Sequence, residues 1–217
     1  MPDEKVRLLI VDDEPAIRMS MSHVLAEIGY RVRSAEDGFS ALRELKKEIP
    51  DILVSDLNMP GMSGFELLSV VRCRFPTIQT IAMSGSFYGD EAPSGIAADA
   101  FYQKGSSIGS LLRIIGALPQ PDRMLPNRKA APAPIWIQPD GQNASGAACV
   151  TICCPECLRS FPLPVGSSIS LIREADCIYC RNSIHYAIVQ QAERASAQAF
   201  LRPPREAKPA VIPQLFY

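Results

Sequence analysis

Five times between residues 5 and 118 a short apolar run gives way to a segment with helical spacing, and this alternation constrains the fold more than any other feature of the chain. Val6–Val11 (VRLLIV) is almost unbroken in its apolarity, as a strand covered on both faces must be. Pro15 suits a first helical turn, and Ile17, Met21, Val24, Leu25 and Ile28 recur along one helical face. Tyr30–Ser34 is a second strand. Ala41, Leu42, Leu45 and Ile49 mark a second helix, and Ile52–Ser55 a third strand. Phe65, Leu68 and Val71 support a third helix before Thr80–Met83, and Ala100–Tyr102 precedes a helix carrying Ile108, Leu111, Leu112 and Ile115. Strands and helices in alternation predict a five-stranded parallel sheet, doubly wound, of class α/β. The expected fourth helix is the weak element. SFYGDEAPSGIAADA places Pro93, Ser94 and Gly95 where a helix interior tolerates them poorly, so it is predicted to be short or broken.

The strand ends carry the chemistry. In open parallel sheets ligands gather at the carboxyl ends of the strands, and here the first strand runs into Asp12 and Asp13 while the third runs into Asp56. If those strands are neighbours, three carboxylates converge, and like charges so close raise one another's pKa. A divalent cation removes the conflict, and hard oxygen ligands suit Mg²⁺. The fourth strand ends in Ser84 and the fifth is followed by Lys104, adding a hydroxyl and an ammonium. Such a pocket suits a phosphoryl group. Taken singly, each residue has a plainer account: Asp13 could cap a helix, Ser84 could be loop polarity, and Lys104 a solvated charge.

LLIVDDEP (8–15), VSDLNMPGMSGFELL (54–68), MSG (83–85) and FYQKG (101–105) occur in that order over about 118 residues, and together they resemble the receiver domain of two-component response regulators. The resemblance implies a flavodoxin-like receiver fold and assigns roles. Asp56 would be the phospho-acceptor. Asp13 and Asp56 would bind Mg²⁺ directly, with the backbone carbonyl of Asn58, and Asp12 would act through water. Lys104 and Ser84 would meet phosphoryl oxygens, and Phe101 takes the aromatic position that changes rotamer on activation. A sensor histidine kinase or a phosphotransfer protein is the implied donor. The domain is a switch rather than an enzyme, its only catalysis being on itself. A receiver-like scaffold that keeps these residues without being phosphorylated is the rival. One departure from the pattern is Gly105, where relatives carry proline after the lysine through a cis peptide. The other is the broken fourth helix.

Beyond the receiver-like residues 1–118 the character changes. Residues 119–148 are spaced by Pro119, Pro121, Pro126, Pro132, Pro134 and Pro139 and read as an extended linker, with Trp136 an apolar exception that either docks on a neighbour or sits loose. Six of the seven cysteines follow residue 148. Cys154-x2-Cys157 and Cys177-x2-Cys180, with 19 residues between the pairs, fit a tetrahedral S₄ site for Zn²⁺. Residues 149–190, with strand-like text around both pairs, resemble a zinc ribbon, a small β-rich domain. Disulfides or a dithiol redox switch are the competing accounts. Cys153 could compete for the first pair, and His185 could substitute as a ligand. Residues 191–217 read as a helical and flexible tail.

The totals limit the rest. Hydrophobic residues make up 47% and charged residues 21%, ordinary for a globular protein with a real core. Neither a secretory leader nor a run of about 20 apolar residues is evident, so the expected location is the cytoplasm with no membrane role. Residues 1–118 hold 12 Lys and Arg against 16 Asp and Glu, the remainder 10 against 7. Neither balance announces nucleic acid. Around the cysteines Arg159, Arg173 and Arg181 face Glu156, Glu174 and Asp176, so a protein partner is the preferred output. Nucleic acid is the less favoured one, as in a DNA-binding transcription regulator, and a redox or metal sensor is a further class.

Overall fold

The structure, a computed structural model, describes residues 5–85, 97–118, 135–137, 141–142, 148–164 and 173–188. Its first part follows the alternation of the sequence: β1 (Arg7–Val11), α1 (Pro15–Ile28), β2 (Arg31–Ala35), α2 (Gly38–Lys47), β3 (Ile52–Asp56), α3 (Gly64–Arg74), β4 (Gln79–Ser84), β5 (Ala100–Gln103) and α4 (Ile108–Ala117). The five strands form one parallel sheet in the order β2-β1-β3-β4-β5. The stretch expected to hold a short or broken fourth helix lies mostly outside the described residues.

Strand alternation divides the interior into two layers. Leu8 and Ile10 of β1 join Val54, Ile81 and Met83 against Met21 and Leu25 of α1 and Leu111 and Ile115 of α4. Leu9 and Val11 point the other way, with Leu53 and Ala82, towards Leu42 and Leu45 of α2 and Leu67, Leu68 and Val71 of α3. Both faces are apolar because both are covered. Local chemistry fixes the ends: Asp37 and Ser40 cap α2 reciprocally, the Ser40 amide donating to Asp37 Oδ1 at 2.6 Å and the Asp37 amide to Ser40 Oγ at 3.1 Å.

Arg7 ties the entry of β1 to that of β3. Its Nε and Nη2 donate to the Asp51 carboxylate at 3.1 and 2.7 Å, and its amide adds a third bond at 2.8 Å. Hydrogen bonds from Arg7 hold the Asp51 carboxyl below its ordinary value, against an opposing effect of burial. A depressed carboxylate pKa stabilises the fold above the unfolded-state value and loses that contribution as pH falls through the folded one. Asp51→Asn is therefore expected to cost about 1 kcal/mol in urea unfolding near neutral pH. The gap should close as the pH drops below about 4.

The second part is built of short strands: β6 (Ile135–Ile137), β7 (Gly141–Gln142), β8 (Ala148–Cys153), β9 (Ser160–Pro164), β10 (Arg173–Asp176) and β11 (Ser183–Ile188). They make two three-stranded sheets, β10-β11-β6 and β7-β8-β9. Two of these strands come from the proline-rich stretch. Trp136 lies in β6, which pairs in parallel with β11, so the segment read as a linker contributes backbone to the small domain. The tail from 189 onward lies outside the described residues. Among the described residues no helix is long and apolar enough to cross a membrane.

Candidate phosphoryl and metal sites

Strand order brings the predicted residues together. β1 and β3 are hydrogen-bonded neighbours with Val11 opposite Ser55, so Asp12 leaves the sheet beside Asp56. On the other flank Ser84 ends β4 and pairs with Gln103, and the Lys104 amide donates to the Ser84 carbonyl at 2.9 Å. Lys104 is thereby placed so that its Nζ lies 2.9 Å from Asp12 Oδ2 and 3.1 Å from Asp56 Oδ2. Carboxylate oxygens of Asp12, Asp13 and Asp56 lie within 4.8 Å of one another. Asp12 and Asp56 are buried and Asp13 is exposed.

The polar neighbours hold this geometry. The Glu14 amide donates to Asp12 Oδ1 at 2.9 Å, and Arg18 Nη1 donates to the Asp12 carbonyl at 2.6 Å. Asp12 Oδ2 is shielded from solvent and receives no well-directed hydrogen bond, so the ammonium answers it as an ion pair only. Burial pushes the Asp56 carboxyl above its ordinary value, and the Asp12 charge adds to this. Hydrogen bonding and charge from Lys104, with a backbone hydrogen bond from Asn58, oppose it. For Lys104 burial would lower the pKa, but its close contacts with the Asp12 and Asp56 carboxylates prevail and raise it. One ammonium thus pairs with two of three clustered carboxylates. The donor set, all oxygen with two negative charges in excess, fits a divalent cation of the Mg²⁺ kind.

Other sequence readings find their places. Ser84 is fully buried at the tip of β4, and Phe101 is buried in the layer shared with α2 and α3. Asn58 is exposed in the loop after β3. Asp13 caps nothing: α1 begins after Glu14 without a side-chain cap. No peptide bond among the described residues is cis, and Gly105 instead takes φ 88°, a conformation that glycine adopts without penalty. A crevice of about 300 Å³ opens beside Lys104, between Ala16, Ser20 and Met21 of α1 and Tyr102 and Gly105. Cys73, in the last turn of α3, is exposed. His23 is also exposed and lies 3.3 Å from Glu27.

The second cluster lies between the small sheets. Cys154 follows β8 and Cys157 precedes β9; Cys177 follows β10 and Cys180 precedes β11. The two turns repeat one hydrogen-bond pattern. The Cys154 amide donates to Arg159 O (3.0 Å) and the Leu158 amide to Cys154 O (2.8 Å); the Cys177 amide donates to Asn182 O (2.9 Å) and the Arg181 amide to Cys177 O (2.8 Å). Leu158 and Arg181 occupy equivalent positions at φ 54° and 62°, a conformation costing a non-glycine residue about 1 kcal/mol. Both turns accept that cost to aim two sulfurs at one point.

All four Sγ atoms lie within 4.8 Å of one another, with Cys154–Cys180 and Cys157–Cys177 each at 3.6 Å. Zinc–sulfur bonds of about 2.3 Å in a tetrahedron imply sulfur–sulfur edges of about 3.8 Å, so the thiols fit Zn²⁺. Burial works to raise the Cys177 thiol. Hydrogen bonds from the Cys180 and Tyr179 amides, with the Cys180 and Cys157 thiols, bring it down to about 7. Cys153 stands outside the cluster, 3.8 Å from the Cys154 carbonyl, and burial pushes its thiol up to about 12. His185 is an exposed strand residue. No local signal marks Glu66, a carboxylate buried in the first turn of α3, because a glutamate there reads as a solvated helix start.

Residues 8–111 match the response regulator receiver domain family. The transcriptional activator protein ExaE of Pseudomonas putida is 37% identical over 79 residues, which are 36% of this chain and 37% of ExaE. The sensor histidine kinase RcsC of Salmonella typhimurium is 33% identical over 89 residues, 41% of this chain and 9% of RcsC. The chain thus spans less than two-fifths of the length of either curated relative. The solved chemotaxis protein CheY4 of Vibrio cholerae is 29% identical, with 52% of this chain and 97% of CheY4 covered at a TM-score of 0.48. Residues 8–111 are a receiver domain, and the match stops short of the cysteine-bearing part.

Proposed function

We propose that the chain is a two-component response regulator whose Asp56 accepts a phosphoryl group from a phosphohistidine of a sensor histidine kinase or phosphotransfer protein. The observation that carries this reading is the position of Lys104 Nζ between Asp12 and Asp56, with Asp13 close by. Asp56 Oδ attacks phosphorus in line, the new O–P bond forming as the P–N bond to imidazole breaks. Lys104 turns its ammonium from Asp56 to an equatorial oxygen and offsets the charge that develops there. Mg²⁺, held by Asp13, Asp56 and the Asn58 carbonyl with Asp12 behind, would supply a second positive centre for the same oxygens. Ser84, at the neighbouring strand tip, bonds a further phosphoryl oxygen, and Phe101 follows it as the reporter of the switch.

The test is intact-mass measurement of the full chain with Mg²⁺ and a small phosphodonor. Wild type should gain one phosphoryl group and Asp56→Asn none. No gain in either would favour the unphosphorylated scaffold.

For the second part we propose a zinc ribbon, with Cys154, Cys157, Cys177 and Cys180 holding one Zn²⁺, that binds a protein partner. Ile178 and Tyr179 support this, being 65% and 49% exposed at the tip of the second turn. Tyr179 is held there by Arg159 at 5.3 Å from its ring and by the edge of Phe161. Four thiolates around one Zn²⁺ leave a net charge of about −2, which disfavours a DNA surface.

A further inference from the structure

α3 is buried on too many sides for an outer-layer helix. A helix lying on a sheet buries one stripe and leaves the rest to water. Here Glu66, Leu67, Leu68, Ser69, Val70 and Val71 are consecutive and all buried, so more than a full turn is covered in every direction. The parallel sheet covers one side. The cysteine module covers the other: Val150, Ile152 and Phe161 belong to the same continuous apolar cluster as the helix. Two polar contacts mark the seam. The Cys153 amide donates to Glu66 Oε1 at 3.4 Å, and Lys46 Nζ donates to the Leu158 carbonyl at 3.3 Å.

The seam ends at both candidate sites. Cys153 precedes Cys154, the first of the four clustered sulfurs, and Leu158 follows Cys157. At the other end, Ser63 Oγ caps the Glu66 amide, and the Gly64 amide donates to the Leu57 carbonyl at 3.1 Å. Gly64 is pressed so closely on the acceptor residue that a Cβ there would lie 1.8 Å from the Asp56 carbonyl oxygen. The first turn of α3 therefore cannot shift without moving the backbone of Asp56 and Leu57. The crevice beside Lys104 lies on the opposite face of the sheet, so the module leaves it open.

We infer that the cysteine module is an intramolecular clamp on α3, and that metal at its four sulfurs and Mg²⁺ at Asp12, Asp13 and Asp56 are reciprocally coupled through the first turn of that helix. This rests on the zinc reading of the cluster and deepens the receiver reading. With the module folded, α3 is sandwiched and the loop after Asp56 is held. With the module opened, the outer face of α3 meets water and the loop loses its support. Linkage makes the effect mutual: whatever zinc does to Mg²⁺ affinity, Mg²⁺ does to zinc affinity.

Hydrogen exchange on the full chain tests the clamp, and calorimetric titration with Mg²⁺ alone tests the coupling. Both would be run on zinc-loaded protein, on protein stripped by a chelator later dialysed away, and on Phe161→Asp, which breaks the module core without touching a sulfur. Opening the module should lower protection of residues 64–74 by about tenfold or more. Mg²⁺ affinity should change by about fivefold. If β1 and β3 lose protection as well, the receiver cannot stand without its cover, which is the same coupling in a stronger form. Unchanged protection of 64–74 while residues 173–188 exchange freely would overturn the clamp. Unchanged Mg²⁺ affinity with α3 deprotected would overturn the coupling. Metal content of the purified chain separates the two readings: if no zinc is bound, the zinc reading fails alone and Phe161→Asp still decides the clamp.

Discussion

On the proposed zinc reading, stripping Zn²⁺ from the four-cysteine site should unfold β8 to β11 together, and Cys177→Ser should do the same without a chelator. Zinc held by four cysteines contributes about 10–16 kcal/mol of apparent binding free energy, as much as an entire small domain has in net stability. Little else in the module could replace it. Its two sheets have three short strands each, and both turns joining β8 to β9 and β10 to β11 are given over to the four clustered sulfurs. A module of about 40 residues buries too little apolar surface to be secure by itself. Cys177 supplies one of the four clustered sulfurs, and amide hydrogen bonds bring its thiol down to about 7 against the effect of burial. Cys153→Ser is the control. Its sulfur lies outside the cluster, so zinc stoichiometry should stay at one per chain. Metal analysis and circular dichroism of the three proteins check the outcome.

If Asp56 is the acceptor as proposed, Lys104→Met should slow phosphoryl transfer to it by about 10²–10³-fold at saturating Mg²⁺. The strand end that carries Lys104 holds its ammonium 3.1 Å from Asp56, so only a short turn brings it to the phosphoryl oxygens as charge develops there. Its contacts with Asp12 and Asp56 raise its pKa despite burial, which keeps it charged throughout the neutral range. Methionine keeps the length and loses the charge, leaving Asp12 and Asp56 to repel one another. Lys104→Arg should recover only part of the rate, because a planar fork cannot occupy the point between two carboxylates that an ammonium fills. Phosphoryl incorporation against time, from a small donor at several Mg²⁺ concentrations, gives both numbers.

The elements and the clustered ligands were legible in the sequence because their signals are local. An apolar run such as LLIV, a proline at a helix start and two cysteines three positions apart each act within a few residues. The convergence of Asp12 with Asp56 needed one further step, the adjacency of β1 and β3, which the alternation of strands and helices suggests and the sheet order supplies. The proline-rich stretch went the other way. Proline spacing describes an extended chain whether or not a partner strand is present, and β11 provides one for Ile135–Ile137.

The chemistry of this protein was written into its residues: carboxylates at strand tips, a lysine after the fifth strand, and two pairs of thiols at turn spacing. Those features depend on neighbours in the chain, and the periods of helices and strands carry them. Only the tertiary structure decided that α3 is an inner helix and that Glu66 lies under Cys153. Contacts between residues 87 positions apart arise when two separately patterned surfaces close on each other, and no local period records that closure.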